Sequence, residues 1–144
     1  MKMNENQTQL TSVLKAAQMG QVGIECVRQT AVPVALREEL HTQLREYDLI
    51  EREALSLARS RRWELPQLSP MLRRMCQLSA KLRLRHGSPS SQIAGMMIQG
   101  NTRGMITSIK NLHRYHGQDD AVEQLSRKLL QTETSNIRQM KKFL

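Results

Sequence analysis

Aromatic side chains are nearly missing from this chain. Trp63, Tyr47, Tyr115 and Phe143 are the whole set among 144 residues. That excludes the interleaved aromatic platforms on which single-stranded nucleic acids stack. Cysteine is also scarce. Cys26 and Cys76 stand far apart and form no C-x-x-C pair. They read as two buried thiols in a reducing compartment, not as a disulfide framework or a zinc site. No apolar run approaches the ~20 residues needed to span a membrane. The opening MKMNENQTQL lacks the apolar region of a signal peptide. The expectation is a soluble, cytoplasmic protein. No G-x-S-x-G, P-loop, Rossmann glycine pattern or H-E-x-x-H is present, so neither hydrolytic nor nucleotide-dependent catalysis is expected.

A further absence is local. Residues 66–118 hold no acidic side chain, and that segment carries +8 of the net charge of +9. Its basic residues are Arg73, Arg74, Lys81, Arg83, Arg85, Arg103, Lys110 and Arg114. Such a cluster suits the phosphates of a nucleic acid or another anionic partner. It equally suits a solvated basic face, and no DNA-binding motif accompanies it.

The residues that are plentiful (Leu, Ile, Met, Val and Ala) recur at helical spacing. Leu10, Val13, Ala17, Gly20, Ile24, Val27 and Ala31 predict a helix over about 8–31, capped by Thr8 or Thr11. Leu36, Leu40, Leu44, Tyr47, Ile50, Ala54 and Ala58 predict a second over 34–62, with Pro33 in its first turn. Pro66 and Pro70 punctuate the next stretch, and Ser69 caps a short helix over 70–85 with Met71, Leu72, Met75, Leu78 and Leu82 turned inward. HGSPSS is a loop. A long helix over 90–116 follows, with Ala94, Ile98, Met105, Ile109 and Leu112 on one side and Asn101 and Ser108 on that same side. The last helix, over 120–143, is capped by Asp119 or Asp120 and lined by Val122, Leu125, Leu129, Asn136, Met140 and Phe143. Within the fourth helix Gly100 and Gly104 form G-x-x-x-G. Each glycine costs about 1 kcal/mol against alanine in a helix, a cost that close helix–helix approach would offset.

Four long helices with a short one in the second connection describe an all-α, up-down four-helix bundle with a long crossover. That order, with MIQGNTRGMI and the closing LLQTETSNIRQMKKFL, resembles ferritin-like proteins of bacteria, nearest to small spore-coat-F-like bundles of anaerobic spore formers. The resemblance spans about residues 9–144 and implies two iron or manganese ions between the helices, held by carboxylates and Glu-x-x-His pairs. Residue by residue, the pattern is broken. Glu133-x-x-Asn136 has asparagine where the histidine would stand, and Glu25-x-x-Arg28 has a cation. Gln92 and Gly95 replace the expected His or Glu of the fourth helix, which has no carboxylate. Only Glu51 and Glu133 are left as ligands of a degenerate metal site, and no cofactor is expected. Arg28 either pairs with Glu51 or Glu133, beside Asn136, in the place of a metal, or extends to the surface. The function expected is a non-catalytic structural or protein-interaction bundle, spore- or stress-related. The alternatives are a degenerate ferritin-like metal-binding protein and an anion- or nucleic-acid-binding protein using residues 66–118. A protein partner or self-association is expected.

Overall fold

The computed structural model describes residues 3–28, 30, 32–83 and 89–144, with residues 80–83 as backbone only. Among them are five α-helices and no strand: α1 (Glu5–Arg28), α2 (Val34–Ser60), α3 (Pro70–Arg83), α4 (Ser90–Arg114) and α5 (Asp120–Met140). A short 3-10 turn, Lys141–Phe143, follows.

α1, α3 and α5 each begin at a side chain that accepts orphan backbone N–H groups. α1 starts before the expected Thr8 because Asn4 and Gln7 cap it reciprocally. The Gln7 N–H donates to Asn4 Oδ1 at 2.8 Å, and the Asn4 N–H donates to Gln7 Oε1 at 2.8 Å. The hydroxyls of Thr8 and Thr11 instead donate back to the carbonyls of Asn4 and Gln7. Pro33 does not enter the first turn of α2. It precedes the helix with φ −57° and ψ 151°. Pro70 does open α3, and Ser69 Oγ accepts from the Leu72 N–H at 3.2 Å. Asp119 caps α5, its Oδ1 accepting from Ala121 and Val122. Arg61 donates to both oxygens of the same carboxylate, at 3.0 and 3.3 Å. That hydrogen bond holds the Asp119 carboxyl below its usual range.

α2 stops at a Schellman turn. Trp63 N–H reaches the Ala58 carbonyl at 2.8 Å, and Arg62 N–H reaches Arg59 at 3.1 Å. Arg62 therefore stands at φ 60°, the one non-glycine residue in the left-handed region among those described. Arg62 is exposed. Glycine at this position is expected to raise stability by about 0.5–1 kcal/mol, because the Cβ strain disappears and no packing is lost. Urea unfolding of Arg62→Gly checks this; a loss of stability contradicts it.

Contacts at one end of the molecule fix the helix directions. The Tyr115 hydroxyl donates to Asn6 Oδ1 at 2.6 Å, His116 N–H donates to Glu5 at 2.5 Å, and Arg61 meets Asp119. The start of α1, the ends of α2 and α4 and the start of α5 thus lie together. α1 and α5 run away from that end, and α2 and α4 run toward it. The second connection returns along α1. The Leu68 N–H donates to Gln18 Oε1 at 2.8 Å, and Gln18 Nε2 donates to Gln67 at 3.0 Å. Further along, Cys76 of α3 packs against Val22, Cys26 and Leu68.

The four long helices share one apolar core. Leu10, Leu14 and Ile24 of α1 meet Leu36, Leu40 and Ile50 of α2, Ile93 and Ala94 of α4, and Val122, Leu129 and Met140 of α5. On α4 the buried residues are Ile93, Ala94, Met97, Asn101 and Ser108; Ala94, Asn101 and Ser108 fall on the expected side, and Ile93 and Met97 widen it. Ile98, Met105, Ile109 and Leu112 are half-buried at its edge.

α3 reverses the expectation. Met71, Leu72, Met75 and Leu78 face outward, at 71, 45, 62 and 61% exposure. Among its described side chains, those of Arg73, Cys76 and Gln77 are half-buried. Helical spacing defines an apolar side but not the neighbour it meets. α3 rests on α1 through the small cluster around Cys76. The Leu82 side chain lies outside the described residues.

Candidate functional site

A groove opens between α1 and α4 because the residues facing each other there are small. Ala16, Gly20 and Gly23 line it from α1, and Gly100 and Gly104 from α4. The space in the groove is about 600 Å3, within the usual size of small-ligand pockets. Its walls are mainly apolar, with Met19, Met96, Met97 and Leu129 among them. The G-x-x-x-G spacing is thus not a close helix crossing. A Cβ at Gly23 or Gly100 would meet nothing within 4 Å. A Cβ at Gly104 would collide with Glu133 Oε2. Gly104 leaves room for a side chain of α5, not for a neighbouring backbone.

Glu133 forms the polar floor. It is 3% exposed, and its Oε1 accepts from the Ser108 hydroxyl at 2.6 Å. Among the described residues only Ser108 donates to this carboxylate. Burial pushes the carboxyl up to about 7, against the opposing pull of the Ser108 hydrogen bond. Beside it, the Tyr47 hydroxyl donates to Asn101 Oδ1 at 2.7 Å, and Asn101 Nδ2 donates to the Met97 carbonyl at 2.9 Å. Burial raises the Tyr47 phenol, and the nearby Glu133 charge adds to that rise. In one amide orientation Asn136 Nδ2 donates to the Tyr47 hydroxyl at 3.3 Å. In the other it donates to Glu46 and to the Thr132 carbonyl, each at 3.3 Å.

The remaining members of the expected polar cluster do not join this floor. Arg28 is exposed and pairs with Glu25 one turn away at 3.2 Å, not with Glu51 or Glu133. It lies at the last turn of α1, where its long side chain reaches water. Glu51 belongs to the α1–α2 interface. It accepts from Gln18 at 3.0 Å and Gln21 at 3.1 Å. The two glutamates therefore satisfy different partners. Among the described residues no group of three or more His, Cys, Asp or Glu is placed to hold a metal ion. The donor set does not fit the iron or manganese centre that the resemblance implies.

The basic residues divide. Arg103, Lys110 and Arg114 are exposed along α4, as expected, with Arg103 at the groove mouth. On α3, Arg74 is exposed and Arg73 half-buried. The side chains of Lys81 and Arg83, and all of Arg85, lie outside the described residues. Among the described residues no helix is long and apolar enough to cross a membrane.

Sequence reasoning located Asn136 on the apolar line of α5 and Glu133 through the Glu-x-x-Asn spacing set against the ferritin-like pattern. It missed Ser108 as the partner of Glu133, Tyr47 with Asn101, and the groove itself. The one available signal was the concentration of glycine on two helices.

Compared with protein-family models, curated proteins and solved structures, the chain matches none.

Proposed function

We propose that the protein is a non-catalytic binding protein on a ferritin-like, up-down four-helix plan, with α3 in the long crossover, and that the α1–α4 groove holds its partner molecule. The observation that carries this reading is a mainly apolar space of about 600 Å3 with a buried carboxyl at its floor. Ser108 and Glu133 lie within hydrogen-bond reach, but among the described residues no third side chain donates to Glu133 to orient it, so binding fits the floor's chemistry better than catalysis. The outward stripe of Met71, Leu72, Met75 and Leu78 supports an additional protein contact or self-association. A spore- or stress-linked setting rests on the family resemblance.

The test is titration with N-phenylnaphthylamine, a neutral fluorophore that brightens in apolar surroundings. Saturable brightening is expected, and Gly100→Leu is expected to abolish it by filling the open space beside Gly100. No brightening, or brightening indifferent to Gly100→Leu, overturns the reading.

A second reading draws on the exposure of Arg103, Lys110 and Arg114 along one helix. It is binding to the phosphates of a nucleic acid. Retention of duplex DNA that fades as salt rises is its signature, and no retention at low salt removes it.

A further inference from the structure

The floor of the groove has spent its hydroxyl donors. Ser108 donates to Glu133, Tyr47 to Asn101, and Ser126 to the Val122 carbonyl. Each hydroxyl carries one hydrogen, so none is left for a ligand. What the floor offers in return is acceptor capacity, concentrated on Glu133. Of its two oxygens, Oε1 takes the Ser108 hydrogen bond, and Oε2 lies over Gly104 at the groove wall. A molecule that fills this space must bring a donor to that carboxylate. A buried carboxylate is best compensated by a cation.

The other ionisable groups around the groove do not provide one. They are Lys15 and Cys26 from α1, Tyr47 from α2, Cys76 from α3 and Arg103 from α4. Lys15 and Arg103 are cations, but both are exposed at the rim, and no ion pair joins either to Glu133. Their charge is screened within about 8 Å at physiological salt, whereas a buried carboxylate is screened much less. A cation entering the groove is therefore governed by Glu133 more than by the rim. The walls select what the cation is attached to, since Ala16, Met19, Met96 and Met97 present only apolar surface.

We infer that the groove binds an amphipathic primary amine, with its apolar body against these walls and its ammonium on the Glu133 carboxylate. This rests on the reading of the groove as a binding site and specifies its ligand class. An alkylammonium stays charged up to about pH 10. Binding it requires an ionised Glu133, so affinity falls as acid neutralises that carboxyl.

The test compares decylammonium, decanol and decanoate by isothermal titration calorimetry. At about pH 8 decylammonium is expected to bind at least about tenfold tighter than decanol, the value of one charge-assisted hydrogen bond. Its affinity falls at about pH 5, and that of decanol does not. Glu133→Gln brings decylammonium down to about the level of decanol, abolishing the preference for the amine. Ser108→Ala keeps the preference for the amine, which guards against misreading a folding defect. If decanoate binds tightest, or Glu133→Gln leaves the preference for the amine intact, the assignment of an amine is overturned while the groove stands. If none of the three binds, the groove reading falls with it.

Discussion

Glutamine in place of Glu133 will leave stability unchanged in acid and raise it by about 3 kcal/mol near pH 8. The carboxyl titrates at about 7 in the folded protein, against an ordinary value of 4.5. Below 4.5 it is protonated in both folded and unfolded chains, and its burial carries no charge penalty. As pH rises from 4.5 to 7 the unfolded chain ionises first, so the native state loses ground. Above 7 the loss is complete and constant. Gln keeps an oxygen for the Ser108 hydroxyl and removes the titration, so its advantage must grow over that window. Urea midpoints of both proteins from about pH 4 to pH 8, without ligand, measure it. A pH-independent difference, or a variant less stable at pH 8, contradicts the account. A residue that lowers stability at neutral pH and lies at the floor of a groove has the character of a binding-site group.

The helices were legible because their signals are local. Periodicity found each long element, and Pro33, Ser69-Pro70 and Asp119 marked where α2, the short α3 and α5 begin. Asn4 escaped because any of several polar residues near the start can cap a helix, and only the reciprocal bond with Gln7 distinguishes it. The orientation of α3 was not legible, since an apolar stripe states that a face exists but not which way it turns. Gly100 and Gly104 show the same limit more sharply. Their missing side chains leave space, and whether a helix, a carboxylate or a groove uses that space is a tertiary outcome. Glu133 was legible as a buried polar group. Its partner was not, because Ser108 lies on another helix and a serine on an apolar line carries no distinguishing mark. Arg28 was legible only as a choice between a buried ion pair and an extension to the surface. Its position near the apolar stripe suggested burial, yet it stands in the last turn of α1, where a long side chain escapes to water and finds Glu25.

Alanine at Gly20 will destabilise the protein by about 3 kcal/mol, although alanine is the better helix former by about 1 kcal/mol. A Cβ there would come within 2.5 Å of Cε2 and Cζ of the Tyr47 ring. The ring borders the groove but is anchored at its hydroxyl end. Tyr47 is 4% exposed, its hydroxyl is held by Asn101, and Asn101 is tied to the Met97 carbonyl of α4. The added methyl must either part α1 from α2 or break a buried hydrogen bond, and each is costly. Gly23, one turn further along α1, has open space within 4 Å of its Cβ position, so Gly23→Ala should instead gain about 1 kcal/mol. Replacing the ring supplies the decisive control. In a Tyr47→Leu background Gly20→Ala should lose most of its cost, giving a strong coupling between the two positions in a double-mutant cycle. Equal effects at Gly20 and Gly23, or additive behaviour with Tyr47→Leu, would show that the ring does not set the spacing of α1 and α2. Should the coupling appear, the same ring is what keeps the groove floor fixed while the facing glycines leave the groove open.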